Sequence, residues 1–217
     1  MDAVSLHSGE YVERFKASPT FRVSRLVPLM DIGPEDRIVD FGCGLGMLLG
    51  CLDRFGSYDG VDFSPDFIAA ASERASEKAR FHCEDIVAFC ERNPAAFDIA
   101  TTFDFSEHID DATFIEIYSA IRKVLVPGGR LYLHTPNLNF FIERAKDLGI
   151  LRQFPEHIAV RTGEQHRALL ARCGFDTVTV KTIAHYNVLK HVHPLSHLPL
   201  VGPLFAARLW IEASPAK

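Results

Sequence analysis

Short apolar runs alternate with amphipathic stretches along most of the chain, and the alternation predicts strands and helices in turn. Strands are expected at Arg37–Phe41, 58–62, Ala79–Cys83, Phe97–Phe103 and 130–135. Between them the spacing predicts helices over 46–54, from Pro65 with Ser64 as its cap, from Ile86 to Arg92, and over 111–125. A helix over 163–172, closed by Gly174, then leads to strands at Phe175–Ile183 and 208–213. Ahead of all this, Tyr11, Val12 and Phe15, then Phe21, Val23, Leu26 and Val27, give apolar faces to two N-terminal helices, over 10–17 and 20–30. Such regular succession predicts an α/β fold. Its core is a doubly wound, seven-stranded, mostly parallel sheet with ligands at the carboxyl ends of its strands. Residues 184–206 break the rhythm and read as an apolar, partly helical insertion between the last two strands. Residues 1–217 read as one domain, with 1–30 as a helical cap.

The junction of the first strand and its helix carries the strongest chemical signal. Residues 39–46 read Val-Asp-Phe-Gly-Cys-Gly-Leu-Gly, with Gly42, Gly44 and Gly46 two apart. Glycine tolerates positive φ and lets backbone lie against a ligand. A dinucleotide loop places its third glycine three after the second, whereas here it follows after two. Asp40, just before the loop, disfavours a phosphate and suits a cationic ligand. Asp62 ends the second strand, where a carboxylate can accept both ribose hydroxyls or simply start the next turn. Glu84, Asp85 and Ile86 end the third strand. There a side chain can reach an adenine amino group and Ile86 can cover its ring, although Asp85 also fits a helix N-cap.

Composition narrows the classes. With 217 residues, 47% hydrophobic and 24% charged, the chain suits a single buried core. A net charge of −5 argues against a nucleic-acid partner. Five cysteines without a CxxC spacing, and no apolar leader, lead to the expectation of reduced thiols in a cytoplasmic protein. No run is long and apolar enough to predict a transmembrane helix.

These motifs, with Phe97-Asp98-Ile99, Glu107-His108-Ile109 and the Pro127-Gly128-Gly129 turn before Arg130-Leu131, resemble the class I S-adenosylmethionine-dependent methyltransferases over about residues 35–182. The chain is similar to the ubiquinone-biosynthesis O-methyltransferases and related small-molecule enzymes. The resemblance implies S-adenosylmethionine as cofactor, with Gly42, Cys43, Gly44 and Gly46 along its methionine moiety and Asp40 near its sulfonium and amino end. It implies Asp62 on the ribose, Phe63 against the adenine, and Asp85 on the adenine amino group with Glu84 and Ile86 beside it. Phe103 and Asp104 follow at the end of the fourth strand, and Arg22 is a candidate for the cofactor carboxylate.

Methyl transfer to oxygen requires a base, and histidine suits that task near neutral pH. His108, after the fourth strand, and His157, in Pro155-Glu156-His157-Ile158, are the candidates. Either could instead be structural. Glu107 could orient a base, His134 reads as a core residue, and Asn137 as a turn or pocket residue. The tail histidines His185, His191, His193 and His197 lack an accompanying carboxylate or cysteine, so no metal is expected. No Asn/Asp-Pro-Pro-Tyr tetrad follows the fourth strand and no Pro-Cys pair exists, which turns the expectation toward a small-molecule acceptor, lipid-like molecules included, with O-methylation ahead of N-methylation. The alternative is a catalytically silent binding or scaffold subunit. The tail segment 184–206 suits a pocket cover, a packing layer or a homodimer surface.

Overall fold

The computed structural model describes residues 21–215, the side chain of Phe21 excepted. Seven strands form one sheet: β1 (Arg37–Phe41), β2 (Ser57–Asp62), β3 (Ala79–Cys83), β4 (Phe97–Phe103), β5 (Leu125–Pro136), β6 (Phe175–Ile183) and β7 (Arg208–Pro215). Their order is β3-β2-β1-β4-β5-β7-β6. Only β7 runs antiparallel to its neighbours, β5 and β6. The mostly parallel, doubly wound sheet expected from the pattern is present.

Successive side chains of the central strands enter two cores, as a sheet covered on both faces requires. Val39, Phe41, Leu131, Leu133, Leu209 and Ile211 face one side. There they meet α3 (Ile86–Arg92), α4 (Asp111–Val124) and α6 (Gly163–Arg172). Ile38, Tyr58, Tyr132 and Trp210 face the other, against Val23, Leu26, Met30 and Leu48. The remaining helices are the single turn α1 (Phe21–Ser24), then α2 (Pro65–Ala71) and α5 (Phe141–Asp147). The anticipated caps Ser64 and Asp85 are in place, and Asp110 and Thr162, not singled out from the sequence, do the same: each accepts a backbone N–H from the first turn of the helix that follows.

Two expected helices differ. No helix spans 46–54; turns and a short 3-10 helix, Leu49–Cys51, join β1 to β2. Gly42, Gly44 and Gly46 all take positive φ (68°, 52° and 67°), and Gly50 weakens what helix could follow. The apolar residues of this stretch serve the second core as a packed loop. Residues 20–30 hold one α turn and a 3-10 helix, Val27–Leu29, because Pro28 lacks the N–H that a continuous helix needs. The proposed helix over 10–17 lies outside the described residues. Helix α5 was not expected, and β5 and β7 run longer than the apolar runs that predicted them. The 184–206 insertion is built of two 3-10 helices, Val188–His197 and Gly202–Phe205. No helix among the described residues is long and apolar enough to cross a membrane.

Candidate functional site

A cleft of about 380 Å³ opens at the C-terminal ends of β1 to β4, within the usual size of a small-molecule site. The glycine loop forms its floor. Gly42 and Cys43 both donate their N–H to the Val61 carbonyl, at 2.8 and 3.2 Å. A Cβ on Gly42 would meet the Phe105 ring at 2.8 Å, and one on Gly46 the Phe81 ring at 2.8 Å. A Cβ on Gly44 would meet nothing within 4 Å. The loop is therefore packed from behind by two aromatic rings, with Gly44 open to the cleft.

Three carboxylates border this floor, each fixed by the fold. Asp62 accepts from Gly44 N–H at 3.0 Å and from Ser64 N–H at 2.9 Å, so the end of β2 is tied to the loop. Asp40 is buried and accepts from the Tyr58 hydroxyl at 2.8 Å and the Thr101 hydroxyl at 2.6 Å. Burial pushes its carboxyl up to about 6, against those two hydrogen bonds. Asp85 caps α3 through Ala88 N–H at 3.0 Å while still lining the cleft. Glu84, beside it, pairs with Arg92.

Of the cofactor residues chosen from the sequence, Arg22, Asp40, Gly42, Cys43, Gly44, Asp62, Phe63, Glu84, Asp85, Ile86, Phe103 and Asp104 all border this cleft. Gly46 turns away from it. Arg22 sits at the rim, 3.0 Å from the Asp104 carboxylate. Asp104 itself has φ 51° and gathers Arg22, Arg208 and His134. Burial alone would raise its pKa, but the Arg208 guanidinium, the His134 ring and Arg22 together hold it well below the usual carboxylate range. The Tyr186 hydroxyl bonds His134 in turn, and both arginines lie over the Tyr186 ring. Neither Arg208 nor Tyr186 was given a role from the sequence; an arginine opening the apolar run Leu209-Trp210-Ile211 was the only local signal.

His108 lines the same cleft, opposite the glycine floor. It ends the short 3-10 turn Ser106–His108, which Arg161 clamps by donating to the carbonyls of Ser106 (2.7 Å) and Ile109 (2.8 Å). Nδ1 of His108 lies 2.8 Å from the Glu156 carbonyl oxygen. An acceptor there requires a hydrogen on Nδ1, which leaves the lone pair of the neutral ring on Nε2. Burial lowers the pKa of this ring, while the Glu156 and Asp104 carbonyls favour its charged form.

His157 does not border the cofactor cleft. It lines a smaller cavity of about 140 Å³ between α5 and the 184–206 insertion, and its ring meets His108 edge-on at 5.1 Å. Its Nδ1 is buried without a hydrogen-bond partner, and burial beside His108 pushes the ring down to about 4. Glu107 completes the cluster. It is 1% exposed, accepts from the Thr135 hydroxyl at 3.0 Å, and burial near Asp104 pushes its carboxyl up to about 8. The ligating atoms of Glu107, His108 and His157 lie within 4.8 Å of one another. Nδ1 of His108 is engaged by the Glu156 carbonyl, and burial favours the neutral form of all three groups. His134 is fully buried, as expected of a core residue. His166 and Asn137 are also structural: His166 faces Thr162 and Ser106, and Asn137 donates to the Ala206 carbonyl at 2.7 Å.

The strand order with its single reversed β7, the glycine loop after β1 and the carboxylates ending β2 and β3 define a class I S-adenosylmethionine-dependent methyltransferase. A family model described as a methyltransferase domain matches residues 11–180, and the chain belongs to that family. The ubiquinone biosynthesis O-methyltransferase of Idiomarina loihiensis is 32% identical over 107 residues, covering 48% of this chain and 43% of that protein. Its Xylella fastidiosa counterpart is 31% identical over 119 residues, covering 53% and 46%. The chain thus spans less than half the length of these curated relatives. A SAM-dependent methyltransferase from Archaeoglobus fulgidus shares the fold at a TM-score of 0.72 and 18% identity, over 98% of this chain and 99% of that one. Haemonchus contortus phosphoethanolamine N-methyltransferase 2, solved with S-adenosyl-L-methionine, gives 0.65 at 19% identity, over 90% and 52%.

The cleft fits that cofactor on its own chemistry. Open backbone at Gly44, a carboxylate at the end of each of β1, β2 and β3, and an apolar wall of Phe63 and Ile86 match a cationic methionine end, a ribose and an amino-bearing base.

Proposed function

We propose that the chain methylates an oxygen of a small-molecule acceptor, with His108 as the general base. One observation carries this reading: the His108 imidazole borders the cofactor cleft with its Nδ1 tied to a backbone carbonyl. When bound, S-adenosylmethionine supplies an electrophilic methyl group. The residues of the chain must then hold the cofactor, place the acceptor and take its proton. Asp62 and Asp85 are the ribose and adenine contacts, Phe63 and Ile86 enclose the base, and the backbone from Gly42 to Gly44 lies along the methionine end.

His108 takes the proton of the acceptor hydroxyl on Nε2, as its Nδ1–H bond to Glu156 dictates. The carbonyls of Glu156 and Asp104 then stabilise the imidazolium that forms. Glu107 and Arg161 are positioning residues: one packs beneath the histidine through Thr135, the other fixes its turn. The name of the curated relatives supports oxygen over nitrogen as the acceptor atom.

The test is release of S-adenosylhomocysteine by the wild type and by His108→Gln across a panel of phenols, catechols and hydroxylated carbohydrates. The reading predicts turnover on at least one hydroxyl acceptor and its loss in the variant, with cofactor binding kept. Turnover confined to amines would contradict it. Cofactor binding without turnover on any acceptor would instead favour a silent binding subunit.

A further inference from the structure

The apolar side chains that escape burial are not scattered. Among the described residues fourteen large hydrophobic side chains are exposed. One of them, Phe63, belongs to the cofactor cleft, and Leu29 lies apart. The other twelve fall in two segments. Six lie on residues 141–158, including Leu148 at 71% and Ile150 at 73% exposure, and six on residues 188–204, including Val188 at 74%. The segments adjoin. Phe141 and Phe205 have ring centroids 6.2 Å apart, and Phe154 and His157 share the smaller cavity with His185 and Leu189. Adjoining segments that expose this many apolar side chains mark an interaction surface.

Its most prominent feature is Leu200. This residue is 99% exposed and has φ 68°, a backbone conformation that suits glycine and strains leucine. The turn is closed beneath it by bonds from Val201 N–H to the Pro199 carbonyl and from Gly202 N–H to the Leu198 carbonyl. The fold therefore holds a leucine out into solvent at the tip of a tight turn, flanked by Leu198 and Val201.

The charges bordering the face have one predominant sign. Residues 184–206 contain one full cation, Lys190, and neither Asp nor Glu, in a chain of net charge −5 with its histidines neutral. On the neighbouring segment Arg144 and Arg152 are exposed, with Asp147 the exposed acid; Glu156 is half-buried and Lys146 pairs with Glu143. A symmetric dimer through this face would set these cations against their own copies. An anionic surface would pair with them.

We infer that this face docks the protein onto an anionic lipid surface, with the Leu198–Val201 turn and the Leu148–Leu151 loop entering the interfacial layer. Apolar burial and attraction to anionic headgroups then act together. The smaller cavity opens between these two segments and reaches His157, one ring from His108. Docking would bring the lipid layer to the mouth of the acceptor side. The inference stands on the surface alone and does not depend on methyl transfer.

The experiment is co-sedimentation of the full chain with vesicles of equal parts phosphatidylglycerol and phosphatidylcholine, and with vesicles of phosphatidylcholine alone. The double variant Val188→Asp/Leu200→Asp serves as the comparison. Both sites are exposed, and an unchanged melting temperature with and without S-adenosylhomocysteine verifies that the variant is folded. The expected result is binding to the mixed vesicles, weaker binding to the neutral ones, and at least about a tenfold loss in the variant. Absence of binding to mixed vesicles, or equal binding to both, would overturn the inference. So would a wild-type dimer in sedimentation velocity that the same variant dissolves, since the face would then join copies of the chain. None of these outcomes would affect a cofactor-dependent shift in melting, so the methyltransferase reading is judged separately.

Discussion

The cofactor cleft and the smaller cavity beside it are built in different ways. On the cofactor side, the chemical groups sit at consecutive strand ends, and the bonds that fix Asp62 are close in sequence. Asp62 bonds Gly44, 18 positions earlier, and Ser64, two positions later. Beside the smaller cavity, Asp104 meets Arg208 across 104 positions, and Tyr186 meets His134 across 52. The first side is a local turn repeated at consecutive strands. The second is an assembly of α5, the 184–206 insertion and the start of β7, which only the finished sheet brings together. Short motifs can carry the cofactor cleft, whereas a cavity built from distant segments can vary without disturbing it.

The contrast can be broken first at His108. His108→Gln is expected to lower turnover by about 10²–10⁴ and leave the cofactor-induced melting shift in place. Equal loss of both would place the histidine on the cofactor side. The pH profile sharpens the assignment. Burial lowers the His108 pKa from 6.5, so the base form persists above that value and the acid limb of turnover lies below pH 6.5.

Asp104 joins the two sides, and Asp104→Asn is expected to cost roughly 3–5 kcal/mol, because it leaves Arg208 buried without its counter-charge. Urea unfolding measures it, and a loss under about 1 kcal/mol would show that the cluster is not a structural joint. On the cofactor side, Asp62→Ala removes two hydrogen bonds from backbone N–H groups to a carboxylate. It should lower intrinsic stability by about 1–3 kcal/mol in addition to weakening the cofactor. The shift must therefore be read against the melting temperature of the variant itself. A variant with wild-type cofactor affinity would remove Asp62 from the site.

Glu107→Gln has a smaller effect that depends on pH. In the folded chain the carboxyl is pushed up from 4.5 to about 8, so between those values the folded state holds a proton that the unfolded state has lost. This group's contribution is fully present below about pH 4.5 and is lost as pH rises through 8. The wild type should thus lose stability relative to Glu107→Gln between pH 5 and 8. Denaturant midpoints for both proteins across that window provide the check, and parallel curves would contradict the assignment.

The sequence carries the cofactor side because its signals are short-range: glycines that need positive φ, an acid at each strand end, and helix caps such as Ser64 and Asp85. It overstated one element there. The apolar run after Gly46 looks like a helix face, yet Met47, Leu48 and Leu52 belong to a packed loop. The acceptor side was less legible. His108 and His157 could be named as candidates, but their 5.1 Å contact follows from the fold of residues 140–161. Arg208, Tyr186 and helix α5 have no local pattern of their own. Their roles come from partners brought near by sheet order. The insertion was recognised by its composition, but its contact with α5 through Phe141 and Phe205 required the coordinates.

The most direct measurement is the melting temperature of the wild type with increasing S-adenosylhomocysteine. At a hundredfold excess over its dissociation constant the account predicts about 2.7 kcal/mol of stabilisation. For a domain of this size that is roughly 5–10 °C, saturable with ligand, and strongly reduced in Asp62→Ala. A melting temperature that does not move up to millimolar ligand would contradict the cofactor site at the ends of β1, β2 and β3.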